Sequence, residues 1–302
     1  MFENREIRLG IVPIGWTNDD MWELGDQNTF EQCISEIRLA GFRGCEVGHK
    51  FPTDLKVLKK ALDLRSLTIS SKWFSSFLGT RPYEEVREQF IKELEFLSAM
   101  GAGAVNISEQ SYSIQGDQTK SIFDEKAVLT DDEFSRMCEG LNKLGELANS
   151  YHIRASFHHH MGTCVQTLEE TRRLLDQTEK GLVYLCYDTG HWVFTETDPL
   201  EILHEYPDRI GNVHLKNMRK PVRDRAIQGR WPFLKAVREG CFTVPGDPEG
   251  CVDFPAIFRK LDEIGYEGWI IVEAEQDPAK ANPFEYAKMA YEFMDLELGL
   301  DR

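Results

Sequence analysis

Two residues that can bind a metal ion stand at the ends of two neighbouring apolar runs in this sequence. Residues 183–187 are followed by Asp188, and residues 210–213 are followed by His214. Short apolar runs bounded by turn-forming residues are typical of buried parallel strands. In a barrel of alternating strands and helices, the residues at the carboxyl ends of the strands face the active site. We therefore expect Asp188 and His214 to be two ligands that neighbouring strands bring to one site.

Two further apolar runs end in side chains of the same kind. His158 ends one run, and Glu273 directly follows another. A mixed set of histidine and carboxylate ligands suits a divalent ion such as Mn²⁺, Co²⁺ or Zn²⁺ better than Ca²⁺. We expect one shared metal ion, held by His158, Asp188, His214 and Glu273. The alternative is that Asp188 and Glu273 only cap the helices that follow them.

The geometry of a strand helps to choose between candidate ligands that are neighbours in the sequence, because successive side chains on a strand point to opposite faces. His158 and His160 therefore share a side while His159 between them turns away. We expect His158 to bind the metal and His160 to contact the substrate, and the reverse assignment stays open. By the same parity, Glu273 is the expected ligand and Glu275 is an expected substrate contact.

Other residues carry side chains that are suited to proton transfer or to charge stabilisation. His191, where the helix after a strand begins, is a candidate acid or base. Lys216 should project on the same side as His214, where a cation would stabilise an enolate. Glu46 interrupts a short apolar strand, and burial would raise its pKa and suit it to general base catalysis. Glu273 is a further candidate for the base. The structural alternatives are a hydrogen-bonding role for His191, a solvated lysine and a buried ion pair at Glu46.

Three residues offer contacts of the kind that sugars need. Trp16 and Asn18 follow the first predicted strand, and Lys72 lies at the end of the third. We expect all three to bind the substrate. The alternative for Trp16 is a place in the hydrophobic core.

The chain around these residues alternates strands and helices. The predicted strands cover residues 7–14, 44–48, 67–74, 104–107, 153–158, 182–187, 210–214 and 268–272. Helical periodicity and helix caps occupy the intervals between them. Eight such units favour an α/β fold of the (β/α)8 TIM-barrel type over an open sheet. We predict a single domain over residues 1–302, with an inserted loop at about 217–249.

A dinucleotide-binding sheet is the competing fold, and it would place a glycine-rich phosphate loop after the first strand. The corresponding segment, PIGWTNDD at 13–20, has one glycine and two acids that would repel a pyrophosphate. The barrel is therefore preferred.

The net charge limits the partners that the protein could bind, and the cysteine content indicates the redox environment in which it works. The net charge of −16 and the pI near 5.0 oppose a nucleic-acid or anionic-membrane partner. No apolar run approaches the roughly 18–20 residues that span a bilayer, and we expect no signal peptide. Seven scattered cysteines without a CxxC pair fit reduced thiols in a cytoplasm. The composition leaves the oligomeric state open, with a homo-oligomer as one candidate.

Several motifs resemble the xylose isomerase-like barrel superfamily, which holds sugar isomerases, ketose epimerases and endonuclease IV-type enzymes. They are DTGH at 188–191, VHLK at 213–216, PGD at 245–247 and WIIVE at 269–273. Within the superfamily, nearly the whole chain is similar to the inosose dehydratase family of inositol catabolism. That similarity rests on PIGWTNDD at 13–20, HHHMGT at 158–163 and VEAEQDP at 272–278.

The resemblance implies a dehydratase that depends on Mn²⁺ or Co²⁺ and acts on 2-keto-myo-inositol, a small polyhydroxy ketone. The implied product is 3D-(3,5/4)-trihydroxycyclohexane-1,2-dione, and glutathione is implied as a stimulating thiol. The superfamily usually has a glutamate where this chain has His158. That difference makes the site less negative, which should weaken cation binding and make it sensitive to pH, because histidine must be neutral to ligate a metal.

Three rival functions follow from the same residues. A sugar or inosose isomerase or epimerase would use the same proton abstraction beside a ketone. A DNA-repair endonuclease of related fold would want a basic face, which the net charge of −16 opposes. A non-catalytic sugar-binding protein is the third.

Overall fold

The strands of the chain follow the predicted order. The computed structural model describes residues 1–3 and 5–299. Its strands are β1 (Ile7–Ile11), β2 (Gly44–Cys45), β3 (Thr68–Ile69), β4 (Trp73–Ser76), β5 (Ala104–Glu109), β6 (Arg154–His158), β7 (Val183–Asp188), β8 (Ile210–Leu215), β9 (Asn217–Met218), β10 (Phe242–Thr243) and β11 (Gly268–Val272).

Nine of these strands form one parallel sheet that closes into a barrel. Their order is β3-β2-β1-β11-β8-β7-β6-β5-β4, so β3 and β4 stand at its two ends. These two strands are halves of one predicted strand, and residues 70–72 join them. The backbone N–H of Ser70 still donates to Cys45, and that of Asn106 donates to the Lys72 carbonyl, both at 2.9 Å. The predicted eight-strand barrel is confirmed, with its third strand split between two neighbours.

The first strand ends earlier than predicted, because a proline follows it. The strand predicted over 7–14 stops at Ile11, because Pro13 begins a 3₁₀ turn over Pro13–Gly15. Proline favours the first position of a helical turn, where its missing N–H is no loss. This turn redirects the chain before the loop of residues 16–20.

Helices surround the barrel, and many begin at a side chain that satisfies their first N–H groups. They are α1 (Phe30–Ala40), α2 (Leu55–Asp63), α3 (Tyr83–Met100), α4 (Asp131–Ser150), α5 (Leu168–Gln177), α6 (Thr189–Phe194), α7 (Pro199–Glu205), α8 (Lys220–Gln228), α9 (Phe233–Arg238), α10 (Phe254–Glu263) and α11 (Pro283–Leu298). Thr130 and Thr167 form capping boxes at α4 and α5. In the described part of the chain, no helix is both long enough and apolar enough to cross a bilayer.

The insert is folded rather than a loop, which corrects the expectation for residues 217–249. It contains α8, α9 and an antiparallel pair of β9 with β10. Its apolar side chains form a second core, separate from that of the barrel, in which Phe233 and Phe242 pack with Phe194 and Met161. The insert therefore builds an apolar roof beside the carboxyl ends of β6 and β7.

Close packing of α4 against the turn before β7 gives a test of the fold. A Cβ at Gly145 would lie 2.4 Å from the carbonyl oxygen of Leu182, which is backbone and cannot move freely. We expect Gly145→Ala to lower the free energy of unfolding by about 1–3 kcal/mol, as other overpacking substitutions do. Gly103→Ala is the control, because nothing lies within 4 Å of its Cβ. Urea denaturation would measure both, and equal stability of the two variants would contradict this packing.

Candidate metal and polyol site

Four buried side chains meet at the carboxyl end of the barrel. They are His158, Asp188, His214 and Glu273, and one potential ligand atom from each lies within 4.8 Å of the others. Asp188 Oδ2 is 3.5 Å from His158 Nε2 and 4.0 Å from His214 Nδ1. Glu273 Oε2 is in hydrogen-bond contact with His214 Nδ1. We call this set the four-residue cluster, and it brings together the predicted ligands.

The hydrogen bonds of the cluster leave lone pairs aimed inward. His158 Nδ1 lies 2.7 Å from the carbonyl of His159, so Nδ1–H donates there and Nε2 carries a lone pair. His158 Nε2 and Asp188 Oδ2 are buried and have no hydrogen-bond partner among the described residues. Unpartnered buried polar atoms are costly, and a divalent cation would satisfy both. The residues therefore fit a metal ion.

Asp188 both caps a helix and faces the cluster. Its Oδ1 accepts the backbone N–H groups of Gly190 at 2.8 Å and His191 at 3.0 Å, at the start of α6. Its Oδ2 points to the cluster instead. Burial would raise the pKa of Asp188, but the nearby Lys216 ammonium holds it well below its usual range. The capping alternative is correct for one oxygen and leaves the other for a ligand.

Glu46 fixes the far side of His214. Its Oε1 accepts from His214 Nε2 at 2.8 Å, from Ser71 Oγ at 2.7 Å and from Asn106 Nδ2 at 2.8 Å. Asn212 extends this network by donating to Ser71 and Asn106. Because Nε2–H is committed to Glu46, His214 keeps Nδ1 for the cluster.

Ser71, Asn106 and Asn212 were not among the predicted site residues. Asn212 stands two residues before His214 on the same strand and so shares its face. Polar residues in the middle of apolar strands were the sign that could have revealed this layer.

Lys216 is the cation at the centre of the acidic side chains. Its Nζ lies 2.8 Å from Glu275 Oε1, 3.4 Å from Glu273 Oε1 and 3.4 Å from Asp188 Oδ2. Burial would lower the pKa of Lys216, but these carboxylates raise it above its usual value. A side chain at Gly190 would collide with the Lys216 stem, since a Cβ there would lie 2.5 Å from Cγ. Lys216 therefore remains charged and balances the acids.

His160 and His191 form a neutral pair next to the cluster. Burial, with the charge of Lys216, lowers the pKa of His160 to about 3. Burial and Lys216 also hold the pKa of His191 well below its usual range, and His191 Nε2 is 3.1 Å from Lys216 Nζ. The ring of Phe233 packs on the edge of His160, with centroids 5.0 Å apart. This wall of the site is apolar and uncharged.

Two other groupings are less suited to a metal than the four-residue cluster. His160, His191 and Glu275 also approach one another within 4.8 Å, but the Lys216 ammonium already contacts Glu275 and His191. Cys186 stands near two of the histidines, and burial raises the pKa of its thiol to about 11, which keeps it protonated. The geometry thus supports His158 rather than His160 as the ligand from β6.

A cavity of about 130 Å³ opens above the cluster. It is lined by Val12, Ile14, Asp19, Asp20, Glu46, Val47, Trp73, Gln115, His160, His214, Glu273 and Glu275. Burial raises the pKa of Glu275 to about 7, against the influence of Lys216. Of the predicted site residues, Glu46, His160, His214, Glu273 and Glu275 face this space.

The expected substrate contacts through Trp16 and Lys72 are not found in the cavity wall. The Trp16 indole is buried and donates to Glu36 Oε2 of α1 at 2.6 Å, because the 3₁₀ turn redirects the chain. Lys72 points outward and pairs with Glu93 of α3. Asn18 is buried and does not line the cavity.

The loop residues that do line the cavity were missed. Asn18 Oδ1 accepts the backbone N–H of Asp20 at 2.9 Å and so shapes the loop that carries Asp19 and Asp20. Gln115, in the loop after β5, and Trp73 of β4 complete the wall. Asp19 and Asp20 directly follow Asn18 in the sequence, but their charge was considered only as a reason against binding of a phosphate ligand.

The double role of Asp188 predicts that two substitutions will differ. Asp188→Asn keeps the cap through its amide oxygen but removes the charge, so we expect Mn²⁺ affinity to fall by at least about 100-fold, with little change in stability. Asp188→Ala should lose the metal and also about 1 kcal/mol of stability through the lost cap. Calorimetric titration with Mn²⁺ and urea denaturation would separate the two effects. Retention of wild-type Mn²⁺ affinity in both variants would contradict the site.

Comparison with known proteins identifies the family. Residues 34–295 match the model of the xylose isomerase-like TIM barrel family. The chain is 52% identical to a protein of Clostridium beijerinckii named inosose dehydratase over 299 residues, which are 99% of this chain and 100% of that protein. It is 54% identical to the inosose dehydratase of Clostridium perfringens over 291 residues, which are 96% of this chain and 97% of that protein.

Solved structures show the same fold at low identity. A protein named IolI, solved with a zinc atom, superposes with a TM-score of 0.72 at 15% identity, over 97% of this chain and 98% of that chain. A probable 3-DHS dehydratase, AsbF, from Bacillus anthracis gives a TM-score of 0.70 at 14% identity, over 95% of this chain and 98% of that chain. The match to the family model and the two relatives above 50% identity show that the chain belongs to the xylose isomerase-like TIM barrel family and, within it, to the inosose dehydratases.

Proposed function

We propose that this chain is a metal-dependent hydro-lyase that removes water from 2-keto-myo-inositol (scyllo-inosose). The product would be 3D-(3,5/4)-trihydroxycyclohexane-1,2-dione. The observation that carries the proposal is that Glu46 and Glu275 line the cavity beside the four-residue cluster. In each, one carboxylate oxygen is hydrogen-bonded and the other has no hydrogen-bond partner among the described residues. The substrate follows from relatives named inosose dehydratase, which are 52% identical or more over nearly the whole chain.

His158, Asp188, His214 and Glu273 would hold the metal ion. When bound, a divalent ion supplies Lewis-acid polarisation of the ketone, which lowers the pKa of the proton on the neighbouring carbon. We propose Mn²⁺ or Co²⁺, because imidazole and carboxylate ligands together suit such ions.

Glu46 is the base that the geometry favours. Its Oε1 is held by His214, Ser71 and Asn106, which leaves Oε2 free to accept a proton from the carbon beside the ketone. Glu273 is less suited to this role, because His214 and Lys216 already contact its oxygens. Proton loss to Glu46 leaves an enediolate on the substrate.

Glu275 is the acid that the geometry favours for departure of the β-hydroxyl. Its Oε1 accepts from Lys216 Nζ at 2.8 Å, and its buried Oε2 has no partner among the described residues. A proton on Oε2 can pass to the leaving hydroxyl, which departs as water, and the resulting enol tautomerises to the dione. His191 was the predicted acid, but it does not line the cavity, and its Nε2 contacts Lys216. His191 instead helps to position Lys216.

The reaction itself is the first test. We expect Mn²⁺-loaded protein to convert scyllo-inosose to a product lighter by one water, with the absorbance of an enol or dione. Mass spectrometry and ultraviolet absorbance would follow it. Treatment with a chelator should abolish turnover, and Mn²⁺ or Co²⁺ should restore it better than Mg²⁺. An isomeric product of unchanged mass would instead indicate an isomerase or epimerase.

The roles of the two carboxylates give a second test. We expect Glu46→Gln and Glu275→Gln each to lower kcat by about 10²- to 10⁴-fold, the usual contribution of a positioned acid or base. Both variants are to be compared with the wild type at saturating Mn²⁺, because Glu46 orients His214 and its substitution is expected to weaken metal binding. Glu95→Gln, on the exposed face of α3, is the control. Wild-type kcat in either site variant would exclude that residue from proton transfer.

Three further expectations remain proposals. We propose that glutathione stimulates the enzyme, that the chain works in the cytoplasm, and that it forms a homo-oligomer. Rates with and without glutathione, cell fractionation and size-exclusion chromatography would test them in turn.

A further inference from the structure

Three loops that end on the cavity are tied together by two carboxylates. Asp19 accepts from His49 Nδ1 at 2.6 Å and from the His49 backbone N–H at 3.2 Å. Asp20 accepts from Gln115 Nε2, with its two oxygens 3.1 and 3.3 Å away. These bonds join the loop after β1 to the loops after β2 and β5. The cavity wall away from the barrel floor is thus held in one arrangement.

The charge that lines this cavity has one sign. Five of its lining residues are carboxylates, and no lysine or arginine stands among the described residues that line it. Lys216 lies beneath the cavity, where it contacts Asp188, Glu273 and Glu275. Even when Lys216 and a divalent ion are counted, negative charges remain in excess. A phosphate or carboxylate on the substrate would find repulsion and no fork of donors.

A buried polar atom without a partner points to the kind of ligand that fits. Glu275 is only 1% exposed, yet its Oε2 has no hydrogen-bond partner among the described residues. A buried polar atom without a hydrogen bond is unfavourable. A ligand hydroxyl can satisfy it without adding charge, because a hydroxyl both accepts from a protonated carboxyl and donates to an ionised one. Val12, Ile14, Val47 and the Trp73 ring provide apolar surface for the C–H faces of a ring.

We propose that Asp19 and Asp20 set the specificity of this cavity by accepting hydrogen bonds from ring hydroxyls that are remote from the reacting carbons. Phosphorylated or carboxylated analogues are excluded by the same carboxylates. This inference rests on the proposed function, which gives the position of the reacting carbons. It adds the residues that set specificity and the requirement that the ligand carry no negative charge. It makes Asp19 and Asp20 specificity-determining residues, because they act on binding and not on the bonds that break.

Equilibrium binding tests this selection without turnover. Myo-inositol lacks the ketone, so it can occupy the cavity of Mn²⁺-loaded protein without being dehydrated. We expect calorimetry to show binding of myo-inositol, with myo-inositol 1-phosphate bound at least about 100-fold more weakly. Equal or tighter binding of the phosphate, or no binding of myo-inositol, would overturn the proposal.

Variants of the loop identify the residues responsible. Asp19→Asn and Asp20→Asn should each weaken myo-inositol binding and raise the KM for inosose by about 10-fold or more, as expected for a hydrogen bond to a charged group. The value of kcat should change little, because the interaction is the same in the ground state and the transition state. Asp20→Lys should narrow the gap between myo-inositol and its phosphate.

Two matched variants separate recognition from loop support. Asp26→Asn removes the same charge from an exposed position of the same loop and should leave binding at the wild-type level. His49→Phe removes the side-chain bond to Asp19 but keeps the carboxylate and an aromatic ring beside Trp22, and His49 does not line the cavity, so it should cost less than about threefold. If His49→Phe weakens binding as much as Asp19→Asn, then Asp19 only supports the loop and the proposal fails. If binding shows the expected selectivity but inosose is not dehydrated, the proposed function fails and this inference stands.

Discussion

Mutual repulsion among buried carboxylates is the constraint that shapes this end of the barrel. Asp188, Glu273 and Glu275 all lie within 3.4 Å of the Lys216 ammonium. Burying unpaired charges costs several kcal/mol each, and one lysine cannot neutralise three acids. The remaining charge is best balanced by a divalent cation next to His158, whose Nε2 has no other partner among the described residues. A metal ion in the cluster and the lysine would therefore be two parts of one charge balance.

A layer of neutral polar groups inside the barrel holds the charged groups in place. Ser71, Asn106 and Asn212 bond to one another or to Glu46, and Glu46 in turn orients His214. Amides and hydroxyls fix positions without adding to the charge that Lys216 must balance. Since Asn106 and Asn212 lie on strands of the barrel and Ser71 lies in the short segment that joins β3 to β4, the site inherits the rigidity of the sheet.

The ends of the strands predicted the convergence of His158, Asp188, His214 and Glu273 at one end of the barrel. Ligands at strand ends converge in a parallel barrel whatever the loops do, which is why Asp188 and His214 could be placed from sequence alone. Strand parity, applied to residues 71–73, would have sent Lys72 outward, because Ser71 contacts Glu46 and Trp73 lines the cavity.

Loop and insert residues could not be predicted in this way. The position of Trp16 depends on a 3₁₀ turn, and that of Gln115 depends on a loop that returns over the barrel mouth. Neither has the periodicity from which strand or helix positions are inferred. The family resemblance correctly gave the fold, but loop contacts are set by long-range packing that a short motif does not record.

The roof over the histidines has a core of its own. Phe233 and Phe242 belong to the cluster of buried side chains formed by the insert and its neighbours, and the barrel strands pack in another. Separate cores open at different free energies, so the roof can loosen while the barrel stays closed. Water would then surround His160 and His191 and weaken the electrostatic interactions that a dry site strengthens. On warming, catalytic activity would therefore be lost before the barrel unfolds, because water would enter the site while nearly all of the secondary structure is still present.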